Sequence, residues 1–327
     1  MPPRISGGKG LIGSLLWFAL GLAALVRGGD WFVDGAVAMA TRFRLPETLI
    51  GATVVSIGTT LPEVMVSVTS AVSGHGELAY GNAVGSVLCN AALIAGLSVA
   101  VRPGESQRRE AALPTAFFFL AAGLYCAAAY GPGGFGRGTG FALLALFALY
   151  LAVTLRRFRG QEGEREKPVL GGSFRREIAL LLLGAAAIAL GARLLVEHGT
   201  LLARALGVPE AVIGLTLVAL GTSLPELATA VTALCKGHGA LSLGNILGAN
   251  LFNLVLVSGA AAAISPFPLP ESRTLAGLNG TLVLDLPLML LAMALLTVPV
   301  LLRGRTYRWQ GAALLALYAF FCGMQFV

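Results

Sequence analysis

Charge is scarce in this sequence. Asp, Glu, Lys and Arg make up 12% of its 327 residues, against about 25% in a soluble domain. Too few polar side chains remain to cover a water-soluble globule, and disordered chains and coiled coils need more charge still. Cysteine patterning is missing too: Cys89, Cys126, Cys235 and Cys322 show no CxxC spacing, which removes a disulfide framework and a zinc site. The net charge of +7 is not gathered into a basic face, so nucleic acid is not an expected partner. No Ser–His pair lies at membrane depth, which argues against an intramembrane protease. Apolar residues are abundant instead, at 56% hydrophobic with a mean hydropathy of +0.82. That composition specifies an all-α polytopic membrane protein.

Apolar runs divided by charged or Gly/Pro clusters predict ten transmembrane helices, near 11–41, 47–73, 77–101, 111–130, 138–156, 175–206, 209–235, 240–264, 282–302 and 308–326. Arg4 and Lys9 ahead of the first run imitate a secretory signal. Val26-Arg27-Gly28-Gly29-Asp30 offers no small-residue cleavage site, so an uncleaved first helix is expected. The chain divides into a five-helix half over 1–156, a linker over 157–174 and a second five-helix half over 175–327. With the N-terminus outside, the cytoplasmic loops and linker hold 16 Lys and Arg against five on the other side. The positive-inside rule therefore predicts N-out, C-out, with the linker cytoplasmic.

An internal repeat organises the whole. Shifted by 163 residues, Pro46–Asn90 lies on Pro209–Asn253 without a gap, with 22 of 45 positions identical. PETLIGATVVSIGTTLPE matches PEAVIGLTLVALGTSLPE, and GHGELAYGNAVGSVLCN matches GHGALSLGNILGANLFN. Apolar low complexity can match Leu, Val and Ala by chance, but not Thr, Pro, Glu, Asn and His in register. The two copies, about 46–97 and 209–260, are separated by five spans, so they cross the membrane in opposite senses. Inverted repeats of this kind are the architecture of many secondary transporters.

Glu63 and Glu226 sit well inside apolar runs, where a carboxylate costs several kcal/mol and marks a functional site. No lysine or arginine lies at comparable depth in helices 2, 3, 7 or 8 to neutralise them. Pro62 and Pro225 precede them, and a proline cannot bond the carbonyl four residues back, so the turns around 56–59 and its counterpart are expected to loosen. Carbonyls, the hydroxyls of Thr59, Thr60, Thr222 and Ser223, and a carboxylate within one turn are hard oxygen ligands suited to Na⁺, Ca²⁺ or Mg²⁺. Asn82, Ser86 and Asn90, matched by Asn245, Ala249 and Asn253, repeat every four residues and share one helix face. Gly81 and Gly85, like Gly244 and Gly248, permit close helix approach beside that face.

These blocks resemble the alpha repeats of the calcium/cation antiporter superfamily, in its sodium/calcium exchanger branch: GTTLPE with GNAVGS, and GTSLPE with GNILGAN. The close resemblance spans about 90 residues, and helix count and short linker extend it over the chain. It implies ten helices in two inverted halves, cation sites at their interface, alternating access, and no cofactor. By position it makes Glu63 and Glu226 the central carboxylate ligands of Ca²⁺ and Na⁺. Thr59, Thr60, Thr222 and Ser223 would give hydroxyl or carbonyl oxygens, and Ser56 and Ala219 backbone carbonyls. Ser86, Asn90 and Asn253 would complete the cluster. Ala249 replaces a serine that often ligates in the second repeat, which puts one sodium site in doubt. Asn253 replaces an acid of some relatives, which argues against potassium co-transport.

The implied activity is antiport of Ca²⁺ against Na⁺, with a Ca²⁺/H⁺ exchanger as the alternative and a cation channel as a distant one. A single-chain transport unit in a prokaryotic plasma (inner) membrane is expected, with cations as substrates and lipid as surroundings. Arg27, Asp30, Asp34, Arg193 and Glu197 are read as local ion pairs, His75 and His238 as turn residues in GHG loops, and Asp285 as a favourable acid at the start of helix 9.

Overall fold

The computed structural model describes residues 8–105, 107–160, 173–206, 220–270, 274–275 and 277–325. Eight helical segments are long and apolar enough to cross a membrane: α1 (Gly8–Arg42), α2 (Glu47–Val72), α3 (Gly76–Val101), α4 (Arg108–Tyr130), α5 (Arg137–Gly160), α6 (Phe174–Ala205), α8 (Gly239–Ile264) and α9 (Thr281–Arg303). Two shorter helices, α7 (Leu224–Cys235) and α10 (Arg308–Met324), complete the set among the described residues. Extended pairing is limited among the described residues to two short strand pairs and a bridge between Glu105 and Arg305, the first pair joining Gly134–Phe135 to Phe267–Pro268 and so tying the α4–α5 turn to the end of α8. The expected boundaries of the first six helices and of the last three hold to within a few residues. The expected seventh begins in residues 207–219, outside the described residues, as do most of the linker and Arg4.

α3 and α8 form the centre. Val87, Leu88, Ala91, Leu251, Phe252 and Val255 are fully buried there. α1, α5 and α6 turn Leu16, Leu149, Leu182 and Leu183 outward, the lipid-facing surface that such a composition requires. α1 and α6 lie antiparallel against one another, and a Cβ at Gly21, Gly28 or Gly35 would collide with α6 at Gly191, Gly184 and Leu181. Their adjoining ends are joined by Arg42, whose Nε and Nη2 donate to both Glu177 oxygens at 2.6 and 2.7 Å. Bidentate geometry makes this pair worth more than an exposed one. Arg42→Ala should lower the unfolding temperature by several degrees, whereas Arg193→Ala, from the exposed 4.0 Å pair with Glu197, should leave it unchanged in the same melt.

Ion pairing is local only in part. Asp30 and Asp34 do not pair with Arg27; both are held by Lys236 of the α7–α8 turn, at 3.2 and 2.7 Å. Partial burial works against the Lys236 charge, but Asp34 and Asp30 outweigh it and raise the ammonium pKa above its ordinary value. His75 and His238 do occupy turns, each preceding a helix after a glycine at positive φ, Gly74 (79°) and Gly237 (87°), which L side chains avoid. His238 also meets Glu47 Oε1 at 2.8 Å. Asp285 lies at the end of a wide first turn of α9, beside Leu286.

The loosened turn expected ahead of Pro62 in α2 is not found. Residues 56–59 are α-helical, and the helix runs from Ser56 through Pro62 to Val72. The widened π-turn lies at Gly51–Val55. Tertiary partners hold it open there: Ser56 Oγ donates to Gly51 O at 2.7 Å, and Tyr150 Oη of α5 donates to Ala52 O at 2.9 Å. In the second repeat the described residues begin with a turn. Leu220 to Ser223 form a turn, and α7 starts at Leu224 with Pro225 in its first turn, where a missing N–H costs nothing.

Candidate functional site

Four helices bring the candidate residues together. α2 carries Ser56, Thr59, Thr60 and Glu63, and α3 carries Asn82, Ser86 and Asn90. α7 carries Glu226 in its first turn, just after Thr222 and Ser223, and α8 carries Asn245, Ala249 and Asn253. Glu63, Glu226, Thr60, Asn90 and Asn253 are 0% exposed, and Ser56, Thr59, Ser86 and Ser223 are equally enclosed. Thr222 is half-buried. Ala219 lies outside the described residues.

Hydrogen bonding sets this cluster apart. Both carboxylate oxygens of Glu63 and of Glu226, both amide atoms of Asn90 and Asn253, Thr60 Oγ1 and Ser223 Oγ are buried without a hydrogen-bond partner. A folded protein leaves few buried polar atoms unpaired, and each asks for a reason. Here ten such atoms, six of them carboxylate or amide oxygens, converge from four helices.

The electrostatics agree. Glu63 and Glu226 lie close enough for the charge of one to bear on the other. The hydroxyls of Thr59 and Thr60 face the Glu226 carboxylate. Among the described residues neither carboxylate has an ion-pair partner, and no group of three or more His, Cys, Asp or Glu is placed to hold a metal. The buried polar groups gathered here are therefore two acids among hydroxyl and amide oxygens, a chemistry that suits hard cations better than transition metals. Two fixed negative charges match one divalent or two monovalent cations, and leaving them unneutralised in a dry interior is costly.

Three features are not plain from the sequence. Asn90 and Asn253 each sit in a π-turn, at Cys89–Ile94 and Asn253–Ser258; such wide turns cluster at functional sites. The Cys89 thiol borders the cluster, next to Ser223 and Tyr318 and within reach of both glutamates. Asn82 and Asn245, visible as a matched pair, bond α2 at points that spacing alone does not reveal. Their identity at equal register in both repeats is the available signal.

Comparison with known proteins gives a consistent picture. The profile of the sodium/calcium exchanger protein family matches residues 13–156 and 176–327. The sodium/calcium exchanger MaX1 of Methanosarcina acetivorans is 30% identical over 347 residues, covering 94% of this chain and 97% of that one. The inner membrane protein YrbG of Escherichia coli is 37% identical over 273 residues, covering 78% and 82%. Among solved structures, the sodium-calcium exchanger NCX_Mj soaked with zero Na⁺ and Ca²⁺ superposes with a TM-score of 0.81 at 30% identity, over 96% of this chain and 99% of that one.

Proposed function

The chain belongs to the sodium/calcium exchanger protein family, and from that premise we propose that it is a secondary antiporter exchanging Ca²⁺ for Na⁺ by alternating access. The observation that carries this reading is the pair Glu63 and Glu226, wholly buried, mutually close and without a hydrogen-bond or ion-pair partner. One Ca²⁺ or a set of Na⁺ ions would neutralise the same two charges. An empty site would leave them exposed to a low dielectric, which opposes crossing without cargo. Exchange, and not leak, follows from that penalty.

In this reading Glu63 and Glu226 are the charged ligands, and Thr59, Thr60, Thr222, Ser223, Ser86, Asn90 and Asn253 supply neutral oxygens. Ser56 and Ala219 contribute main-chain carbonyls. The chain crosses the membrane ten times, α7 and α10 included, as two inverted five-helix halves with both termini outside. The cation asymmetry of the loops supports that orientation. The Ala, Gly and Leu content and the short linker suit a prokaryotic plasma membrane.

Vesicle flux tests the function. An outward Na⁺ gradient should drive ⁴⁵Ca²⁺ uptake well above an equal K⁺ gradient. Uptake driven by a pH gradient without Na⁺ would replace the proposal with Ca²⁺/H⁺ exchange, and flux indifferent to any counter-ion would indicate a channel.

A further inference from the structure

Asn82 and Asn245 occupy the same place in the two repeats, yet both reach the same helix. Asn82, on α3, donates its Nδ2 to Glu63 O at 3.1 Å and to Ser67 Oγ at 2.9 Å. Ser67 in turn donates to Ala79 O at 3.3 Å, so the α2–α3 contact is fastened at the turn that bears Glu63. Asn245, on α8, lies on the other side of Pro62. Ser56 Oγ is 3.0 Å from Asn245 O and 3.2 Å from its Oδ1, and Thr59 Oγ1 is 3.4 Å from the same Oδ1. Both amides are placed to act on the backbone and hydroxyls of α2, and Asn245 is wholly buried.

Proline explains why such fastening is required. Pro62 has no N–H to donate to the Gly58 carbonyl, so one rung of the helix ladder is missing just ahead of Glu63 and the two halves of α2 are less firmly coupled through the backbone. A few tenths of an ångström of play there would separate ligands that must meet one ion. We propose that Asn82 and Asn245 are positioning residues, one from each repeat, that hold α2 on either side of Pro62 and so fix Glu63 relative to Thr59. They do not ligate the ion; they act through Glu63, Ser67, Ser56 and Thr59.

The repeat supplies an internal comparison. At the 163-residue shift, Ser56 and Ser67 correspond to Ala219 and Ala230. The two serine hydroxyls beside the asparagines are thus missing from the sequence of the other arm, while Thr59 is matched there by Thr222. Asn245 Nδ2, whose counterpart on Asn82 is satisfied by Ser67, is buried with no partner. The serine contacts belong to the first repeat only, and alanine is a residue the second repeat accepts at both places.

The proposal rests on the cation-binding reading above, and its test uses Ca²⁺ binding by the purified full chain, measured by ⁴⁵Ca²⁺ equilibrium binding beside an unfolding temperature taken without Ca²⁺. Asn82→Ala and Asn245→Ala should each raise the Kd for Ca²⁺ about tenfold, as the loss of a buried hydrogen-bonded contact predicts. Ser67→Ala should raise it by roughly threefold for one lost acceptor. The double variant Asn82→Ala/Ser67→Ala should bind no more weakly than Asn82→Ala alone, because both changes break one connection. A merely structural role would move the unfolding temperature and leave the Kd of the folded fraction untouched. Affinities within twofold of wild type in folded variants would overturn the proposal, as would multiplicative effects in the double variant. If Asn82→Ala does not fold, Ser67→Ala and Asn245→Ala decide by the same criterion. A wild-type chain that binds no Ca²⁺ would overturn the functional reading itself, and the clamp with it.

Discussion

Glu226→Gln should abolish Na⁺-driven ⁴⁵Ca²⁺ uptake, lowering it more than about 100-fold, because removing one partner of a buried charge interaction costs several kcal/mol. Glu63→Gln should do the same. Glutamine keeps the shape and one carbonyl oxygen, so the loss isolates charge from coordination number. With one acid neutralised, a divalent ion would carry an uncompensated positive charge beside carboxylates that have no contact with solvent. Thr60→Ala removes a neutral oxygen from the same cluster and should reduce apparent affinity by roughly tenfold, in line with a single polar contact. Comparable, mild losses in all three variants would mean that the two acids do not carry the charge balance. The comparison is made at matched amounts of folded protein.

The second large effect is expected at Gly244 and Gly248. These residues let α8 lie directly on the first half of α2. A Cβ at Gly244 would strike the main chain of Thr48, and one at Gly248 would strike Ala52 and the Ser56 hydroxyl. Main chain cannot rotate aside as a flexible side chain can, so each Gly→Ala change should cost at least the 1–3 kcal/mol typical of overpacking. The double variant Gly244→Ala/Gly248→Ala should lose transport, with a lowered unfolding temperature. Gly123→Ala supplies the control. Gly123 is exposed on α4, and no described atom stands within 4 Å of where its added methyl would sit, so it should transport and melt as wild type. A double variant that transports normally would show that the α2–α8 seam has room the geometry denies it.

Much of this was legible in the sequence, and the reasons are physical. Hydropathy located the helices because lipid punishes any unsatisfied backbone, so each span is written as an apolar run of fixed length. Glu63 and Glu226 stood out because a carboxylate in such a run needs a purpose. An inverted repeat would imply their proximity, since two equivalent segments so related meet at a shared interface. What stayed hidden depends on partners far along the chain. The π-turn at Gly51–Val55 is held by Tyr150, 98 residues away from Ala52, and Ser56 meets Asn245 across 189 residues. Pro62 suggests a disturbed helix at 56–59, but the helix there is regular, and the wide turn lies where these neighbours hold it. Lys236 likewise took Asp30 and Asp34 from Arg27 because tertiary packing brings the α7–α8 turn to α1. The wide turns at Asn90 and Asn253 left no composition signal, since their residues are ordinary helix formers in an unusual bonding pattern.

The complete enclosure of Glu63 and Glu226 has a kinetic consequence. On the exchange proposed above, a cargo seated between them would have no aqueous doorway in this conformation, so release would wait for packed helices to shift, a motion on the microsecond-to-millisecond scale or slower. Throughput should then fall steeply on cooling and reach a ceiling that no larger gradient can raise. A water-filled conduit would feel cold only as gently as diffusion does.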